Sequence, residues 1–498
     1  MQNCWHNTAD SLENRYFKAT PDPCPGSLDW ALLDLIVSDL AERIKKSLQP
    51  FDAEGFLSRK KGKLRSRYLN AYNKMVRNGI DLSKNSDISA FVKLERYFEE
   101  GKSPRMIMGR NPMFNILYAQ IIEPIEKSFF SLEQVANACD YTSCGEKFTK
   151  LVGEWFMEND MSKYESSQRL FVLYFEHLVY SLSMPGHTEL IDTLFSYKTR
   201  KKGHTSTGVK FDFWECRGSG DMDTSLGNGI LNYISTQYFL VKNYCPGCAL
   251  TNCSAPGCRS YKFVVKGDDS YAAIPRFRDF YVNTYQYFGF DAKIFVRKSA
   301  EDVEFCSGHF IEYQPGKYTY VQKIKKLLES LTTCLNQDAI DRGWVMHYYK
   351  SLGLMYKRLY AGVPYYEDIA DFLCRTNVKH GLNTNLTTSY NLHEAFNNFS
   401  TQISQPDISL VTVSIAMVNK MDIAELETLK AWLRISSLDF GPEQSKRCNT
   451  KTAKESPCQV LNFDNLNADV LDQSLPKEIH RYRTLYRKNR SNFLRRMG

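Results

Sequence analysis

No stretch of this 498-residue sequence strings together the roughly 18 apolar residues that a membrane-spanning helix needs. The nearest approach, residues 170–182, is too short and carries Glu176 and His177, so any membrane attachment is expected to be peripheral or supplied by a partner. Residues 1–15 are polar and lack the apolar core of a secretory signal, which argues against secretion. Internal repeats and low-complexity linkers are also missing, which excludes repeat arrays and places the chain among globular proteins. The sequence has 14 cysteines but no disulfide framework in their pattern: ten are scattered singly, as reduced thiols in a cytosolic protein are.

With 43% hydrophobic residues the chain can bury a large core, and its length suits two to four domains or one multi-lobed enzyme. Its formal charge of +8 favours an anionic partner without naming one. Apolar residues at helical spacing predict an amphipathic helix over 28–44. The basic run Arg59, Lys60, Lys61, Lys63, Arg65, Arg67 that follows reads as a solvated face or as a phosphate-contacting one. Residues 154–157 read as a short strand, 198–209 as an exposed basic hairpin, and 224–240 as a helix. Residues 261–265 and 270–274 read as two strands, and the chain from 318 onward as mostly helical. Strands mixed with long helices, without regular βαβ alternation, predict an α+β fold.

Between the strands at 261–265 and 270–274 stands Gly267-Asp268-Asp269. A tight hairpin there puts two carboxylates at its tip, and hard divalent cations such as Mg²⁺ take oxygen ligands of this kind. Alone, the tripeptide fits an ordinary polar turn equally well. A two-metal site needs a carboxylate from another element, and Asp160 stands at the end of a predicted strand, where Asp also serves as a turn former or helix cap. A third segment, from Gly218 to Asn232, is a glycine-rich loop running into a helix. Thr224 and Asn228, four residues apart, share one helical face suited to reading a ribose 2′-hydroxyl; the competing reading is a helix capped by Asp221 or Thr224. Cys245, Cys248, Cys253 and Cys258 follow a C-x2-C-x4-C-x4-C pattern that suits tetrahedral Zn²⁺, against the alternative of a loop of reduced cysteines.

In order and spacing these segments resemble the RNA-dependent RNA polymerases of tombusvirus-like plus-strand RNA viruses, from about residue 91 to 311, with a weaker echo over 56–72. In that family an Asp-x4-Asp segment is motif A, here Asp160 to Glu165. A Ser-Gly-x3-Thr-x3-Asn segment is motif B, here Ser219, Thr224 and Asn228, and Gly-Asp-Asp is motif C. Glu165 stands where the family usually has Asp. Asp223 stands where it often has Asn, and Arg96 where it often has Lys. The segments 91–97 and 101–110 resemble the basic motif F, which implies that Lys93, Lys102, Arg105 and Arg110 hold the triphosphate. Lys293, in Gly289-Phe-Asp-Ala-Lys293, resembles the motif D lysine, a general acid for the leaving pyrophosphate. Residues 305–308 resemble motif E.

The resemblance implies a closed right hand: an N-terminal region and fingers over 1–150, palm with motif A over 151–183, and a fingers insertion over 184–215. Palm with motifs B to E and a Cys-rich insertion (245–258) would cover 216–312, and a mainly helical thumb with a basic C-terminal tail 313–498. It implies RNA-directed RNA synthesis by two-metal nucleotidyl transfer. Asp160, Asp268 and Asp269 would hold Mg²⁺ or Mn²⁺, and Glu165, Ser219, Thr224 and Asn228 would contact the nucleotide. Its partners would be a single-stranded RNA template, the product duplex, nucleoside triphosphates and a membrane-targeting replication factor, in membrane-associated complexes of the host cytoplasm. A non-catalytic RNA-binding replication protein of polymerase-like fold and a reverse transcriptase are the competing readings. The tail around His480 to Arg496, basic and aromatic, reads as an RNA-tracking, membrane-binding or solubilising segment.

Overall fold

Leu32, Leu33, Ile36, Val37, Leu40, Ala41 and Ile44 recur every three or four residues and are all buried, which makes Trp30–Lys46 a helix with one core-facing side. Asp29 caps its start by accepting from the Leu32 N–H at 3.1 Å, and Arg43, Lys45 and Lys46 complement the dipole at its end. In the computed structural model the described residues are 4–17, 20–93, 103–151, 153–214, 216–244, 262–278, 281–331, 334, 339, 343–376, 378, 403 and 405–436. They fall into two units.

The first unit contains two four-stranded sheets. One has the order β2-β1-β4-β5, with β1 Ile88–Val92, β2 Met106–Arg110, β4 Arg200–Thr205 and β5 Lys210–Trp214; β1 and β4 run parallel and the other pairs antiparallel. The other is antiparallel throughout, in the order β6-β7-β3-β8, with β3 Trp155–Ser162, β6 Lys262–Lys266, β7 Asp269–Ile274 and β8 Asp291–Arg297. Its main apolar core gathers the helices Trp30–Lys46, Pro112–Phe130, Leu170–Ser183 and Thr224–Tyr244 with residues of the antiparallel sheet. The Thr224–Tyr244 helix is buried nearly all round, as a helix at the centre of a large core must be.

The second unit carries the antiparallel hairpin of β9 Gly308–Gln314 and β10 Lys317–Gln322. Around it stand the helices Tyr141–Thr149, Ile324–Leu331, Val345–Leu359, Tyr366–Cys374, Ile408–Asn419 and Ile423–Ile435. Its second strand covers residues 318–322, where the sequence alone predicted helix; Tyr-Thr-Tyr-Val there is β-branched and aromatic, which favours a pleated surface. A Cβ on Gly145 would stand 2.2 Å from the Tyr318 carbonyl oxygen, so only glycine lets this helix lie against β10.

Mixed helix and sheet agree with the α+β expectation. Among the described residues no helix is long and apolar enough to cross a membrane.

Candidate active site

The turn between β6 and β7 has two residues, Gly267 and Asp268, because Lys266 pairs with Asp269 across the hairpin. Gly267 takes φ +61° while Asp268 stays at negative φ, the pattern of a type II′ turn with glycine first. β3 pairs with β7 up to Asn159 opposite Ser270, so one further step along the ladder brings Asp160 beside Asp269. On its other edge β3 places Asp160 directly opposite Lys293 of β8. Directly opposite residues project to the same face of a sheet, so three of the sequence-predicted residues share one face.

Asp268 is solvent-exposed as a residue, yet its carboxyl is set among enough protein to be desolvated. That desolvation, and then the negative charge of Glu165, push it above the usual carboxylate range. Asp160 adds a weaker push, and Arg105 opposes it. Glu165, Asp160, Asp268 and Arg105 are therefore within electrostatic reach of one another. Among the described residues no three His, Cys, Asp or Glu side chains are already drawn together around a metal position. The donor set nevertheless fits a hard divalent cation: all-oxygen, on a hairpin tip and the neighbouring ends of two inner strands of one sheet, and mutually repulsive until a cation intervenes.

The loop before the Thr224–Tyr244 helix is held by two buried ionic clusters. In one, the Arg110 Nε donates to Asp221 at 2.7 Å, Lys201 Nζ lies 2.9 Å from the same carboxylate, and Arg110 Nη2 donates to the Lys198 carbonyl at 2.6 Å. In the other, Glu176 and Asp223 face Lys198 and Arg217, all four side chains fully buried, and the Tyr118 hydroxyl donates to Asp223 at 2.6 Å. Two cations offset two anions there, so the second cluster is neutral. Burial alone would raise the Asp223 carboxyl, but Lys198 and then Arg217 hold it far below the ordinary range.

These clusters change two expectations. Arg110, expected to hold a triphosphate, is only 4% exposed and bound to Asp221. The cause is strand parity: β2 turns Met106, Met108 and Arg110 inward and leaves Arg105 exposed. The hairpin expected over 198–209 is shifted: Lys198 ends the helix Thr188–Thr199, and the strands are β4 and β5. Lys198 and Lys201, expected on an exposed face, are both 0% exposed, and each turns inward to a buried carboxylate, which offsets its desolvation.

The remaining sequence-predicted residues divide. Thr224 spends its hydroxyl inside the loop, donating to the Asp221 carbonyl at 2.7 Å, so it acts first as a helix-start residue. The Ser219 carbonyl accepts from Met108 N–H at 2.6 Å, which fastens the loop to β2. Asn228 is 5% exposed, and its Oδ1 accepts from Gln168 Nε2 at 2.8 Å while Gln168 Oε1 accepts from Arg217 Nε at 2.7 Å. Lys93 joins β1 to the segment before β2 through its N–H, which donates to the Arg105 carbonyl at 2.7 Å. Lys102, Cys245, Cys248, Cys253 and Cys258 lie outside the described residues.

The match to known proteins is now decisive: residues 1–398 fit the model of the family described as viral RNA dependent RNA polymerase. The chain belongs to that family. Among its curated relatives are proteins called RNA-directed RNA polymerase from Groundnut rosette virus, 26% identical over 66% of this chain and 39% of the relative, and from Cymbidium ringspot virus, 23% identical over 68% and 43%. Another, from Turnip crinkle virus, is 27% identical over 45% and 31%. The chain thus spans about two fifths of the length of the first two.

Within this polymerase-family framework, sequence reading missed several residues that hold the site. Asn232, fully buried, donates to the carbonyls of Gly267 at 3.1 Å and Asp269 at 2.9 Å, pinning the acidic turn to the central helix. Its signal was available: an amide four residues after Asn228, on a polar stripe that continues through Thr236, whose hydroxyl donates to Asn232 Oδ1 at 3.0 Å. Arg15 was missed as well; its Nε and Nη2 donate to the Ser103 carbonyl at 3.0 and 2.8 Å.

Gly227 marks how tightly the neutral cluster is packed. A Cβ there would stand 2.4 Å from both terminal nitrogens of Arg217 and from Glu176 Oε2. Exchanging a mid-helix glycine for alanine ordinarily stabilises by up to ~1 kcal/mol, but here the ion pair must move. Gly227→Ala is expected to destabilise by about 1–3 kcal/mol, read as a fall in the thermal midpoint; a rise would show that the cluster yields.

Proposed function

We propose that this chain is a viral RNA-directed RNA polymerase that replicates a plus-strand genome by nucleotidyl transfer. The observation that carries this reading is the convergence of Asp160, Asp268 and Asp269 on one sheet in a chain of the polymerase family. The closed right hand goes with it: fingers and palm in residues up to 312, with interruptions as the motifs dictate, and a thumb from 313. The host cytoplasm, on membranes reached through a partner, is its proposed place of action.

Asp160, Asp268 and Asp269 would hold two divalent ions, Mg²⁺ or Mn²⁺, and such ions activate a 3′-hydroxyl and neutralise charge on the phosphates. The residues of the chain do the rest. Arg105, exposed and within reach of Asp268, and Lys93 orient the triphosphate, a task of positioning and charge that suits fixed cations. Lys293, opposite Asp160, gives a proton to the departing pyrophosphate. Glu165 and Ser219 border the sugar. Asn228, turned by Gln168, presents its amide to the ribose, so RNA precursors are preferred over deoxynucleotides.

The test is incorporation of labelled ribonucleotides on a single-stranded RNA template with Mg²⁺ or Mn²⁺, with and without primer. Product that depends on template sequence supports the reading; RNA binding without synthesis under all four conditions would replace it with the non-catalytic one. In the same assay Asn228→Ala is expected to lower the preference for ribonucleotides over deoxynucleotides about tenfold, the worth of one hydrogen bond of ~1.4 kcal/mol. An unchanged ratio would take Asn228 out of sugar selection.

A further inference from the structure

From Gly55 to Ile80 the sequence contains no Asp or Glu and eight Lys or Arg, as many charges as the whole chain's net +8. Most of this segment is the helix Gly62–Asn78. At about 100° per residue, Lys63, Arg67, Lys74 and Arg77, with Asn70 between them, fall within an arc of roughly 80° on one side of the helix. All five are exposed, and among the described residues none of the four cations forms an ion pair. By contrast Arg59 and Lys60, just before the helix, are engaged by Glu123. The stripe is about 21 Å long, at a rise of ~1.5 Å per residue.

The opposite side of the helix is already occupied. Tyr68, Ala71, Tyr72 and Met75 pack against Phe56, Leu57, Ile116 and Ala119, and the Tyr68 ring meets Phe56 edge-on at 5.0 Å. Met222, from the loop that leads into the Thr224–Tyr244 helix, joins the same cluster, so the stripe is anchored next to a loop of the candidate active site. A helix that lies in a membrane surface needs a continuous apolar side for the bilayer; this one has packed Tyr68, Ala71, Tyr72 and Met75 against the protein and leaves only Leu64, Leu69 and Val76 as exposed apolar side chains, off the basic stripe. Cations spread along one side of a fixed rod match a linear polyanion.

We propose that Lys63, Arg67, Lys74 and Arg77 form a track for the phosphodiester backbone of a single RNA strand outside the catalytic sheet. Recognition there is electrostatic and blind to base sequence, as backbone contacts are. The proposal rests on RNA being the substrate but not on synthesis.

Binding of a labelled oligoribonucleotide to the full chain, measured by fluorescence anisotropy across a salt series without nucleotides or metal, tests it. Neutralising all four positions (Lys63→Gln, Arg67→Gln, Lys74→Gln, Arg77→Gln) should weaken binding roughly 10- to 100-fold and cut the log–log salt slope by about 3, since each single-strand phosphate contact contributes ~0.7. A control that removes equal charge elsewhere (Lys317→Gln, Lys325→Gln, Lys326→Gln, Lys420→Gln) should leave the slope nearly unchanged. If the fourfold variant loses thermal stability, the pairs Lys63→Gln/Arg67→Gln and Lys74→Gln/Arg77→Gln replace it, each expected to remove about half of the slope. A wild-type slope in the stripe variant overturns the proposal, as does an equal loss in the control. So does unchanged RNA binding together with lost co-sedimentation on phosphatidylserine vesicles, which would make the stripe a membrane contact. Stripe-dependent RNA binding by a chain that makes no product would sink the polymerase reading and leave the track standing.

Discussion

Asp268→Ala and Asp160→Asn should each abolish templated nucleotide incorporation, by roughly a thousandfold or more, while leaving RNA affinity within a small factor of wild type. The size follows from what the groups face. Removing one fixed electrostatic contact to a transition state already costs 10²–10³ in rate, and a carboxylate that helps hold the ions has a larger share. Asp268 is the sharper probe, because burial and then the charges of Glu165 and Asp160 push its carboxyl upward. Its removal relieves repulsion in the free protein, so the variant should be at least as stable as wild type. Loss of activity with stability unchanged or raised identifies a site that gives up folding energy for chemistry. Activity within tenfold of wild type in both variants would remove the sheet from the mechanism.

The second large effect is on folding. Arg217→Met leaves Glu176 and Asp223 against Lys198 alone, an uncompensated negative charge among fully buried groups. Breaking one member of such a cluster costs about 3–5 kcal/mol, a third or more of the stability of an ordinary domain, so a fall in thermal midpoint on the order of 10 °C is expected. The double change Glu176→Gln with Arg217→Met removes one charge of each sign and restores neutrality. It should therefore be less damaging than Arg217→Met, which a double-mutant cycle measures directly. If the two effects simply add, the cluster does not act as a unit. Because the Asp223 carboxyl is held below its unfolded value, its contribution is complete above about pH 4. It is lost only as pH falls through the lower folded value.

The acidic turn and its flanking strands were legible in the sequence because they are local: β-rich runs on either side of Gly267, which alone takes a left-handed φ there. The helix at 30–46 was legible for the same reason, its apolar residues repeating within a few positions. The buried clusters were not. Arg110 and Asp221 are 111 residues apart and Arg217 and Glu176 are 41; nothing in a single sequence says which distant cation meets which carboxylate. A lysine read by itself is an exposed lysine, and Lys198 and Lys201 are the exceptions that pairing makes. For Arg110 the clue was present in the alternation of Met106, Met108 and Arg110, which sets it on the inward side together with the two methionines.

The two-residue link between Lys266 and Asp269 leaves the chain no slack where the carboxylates stand. An extra residue there would slide β7 one step along β3 and carry Asp269 to the opposite side of the sheet, away from Asp160. Among the described residues the β6 ladder starts at Lys262, so extra residues ahead of it leave the described pairs in register. The sequence between Tyr244 and Lys262, which holds the run from Cys245 to Cys258, can therefore change in length without moving the acidic turn out of register.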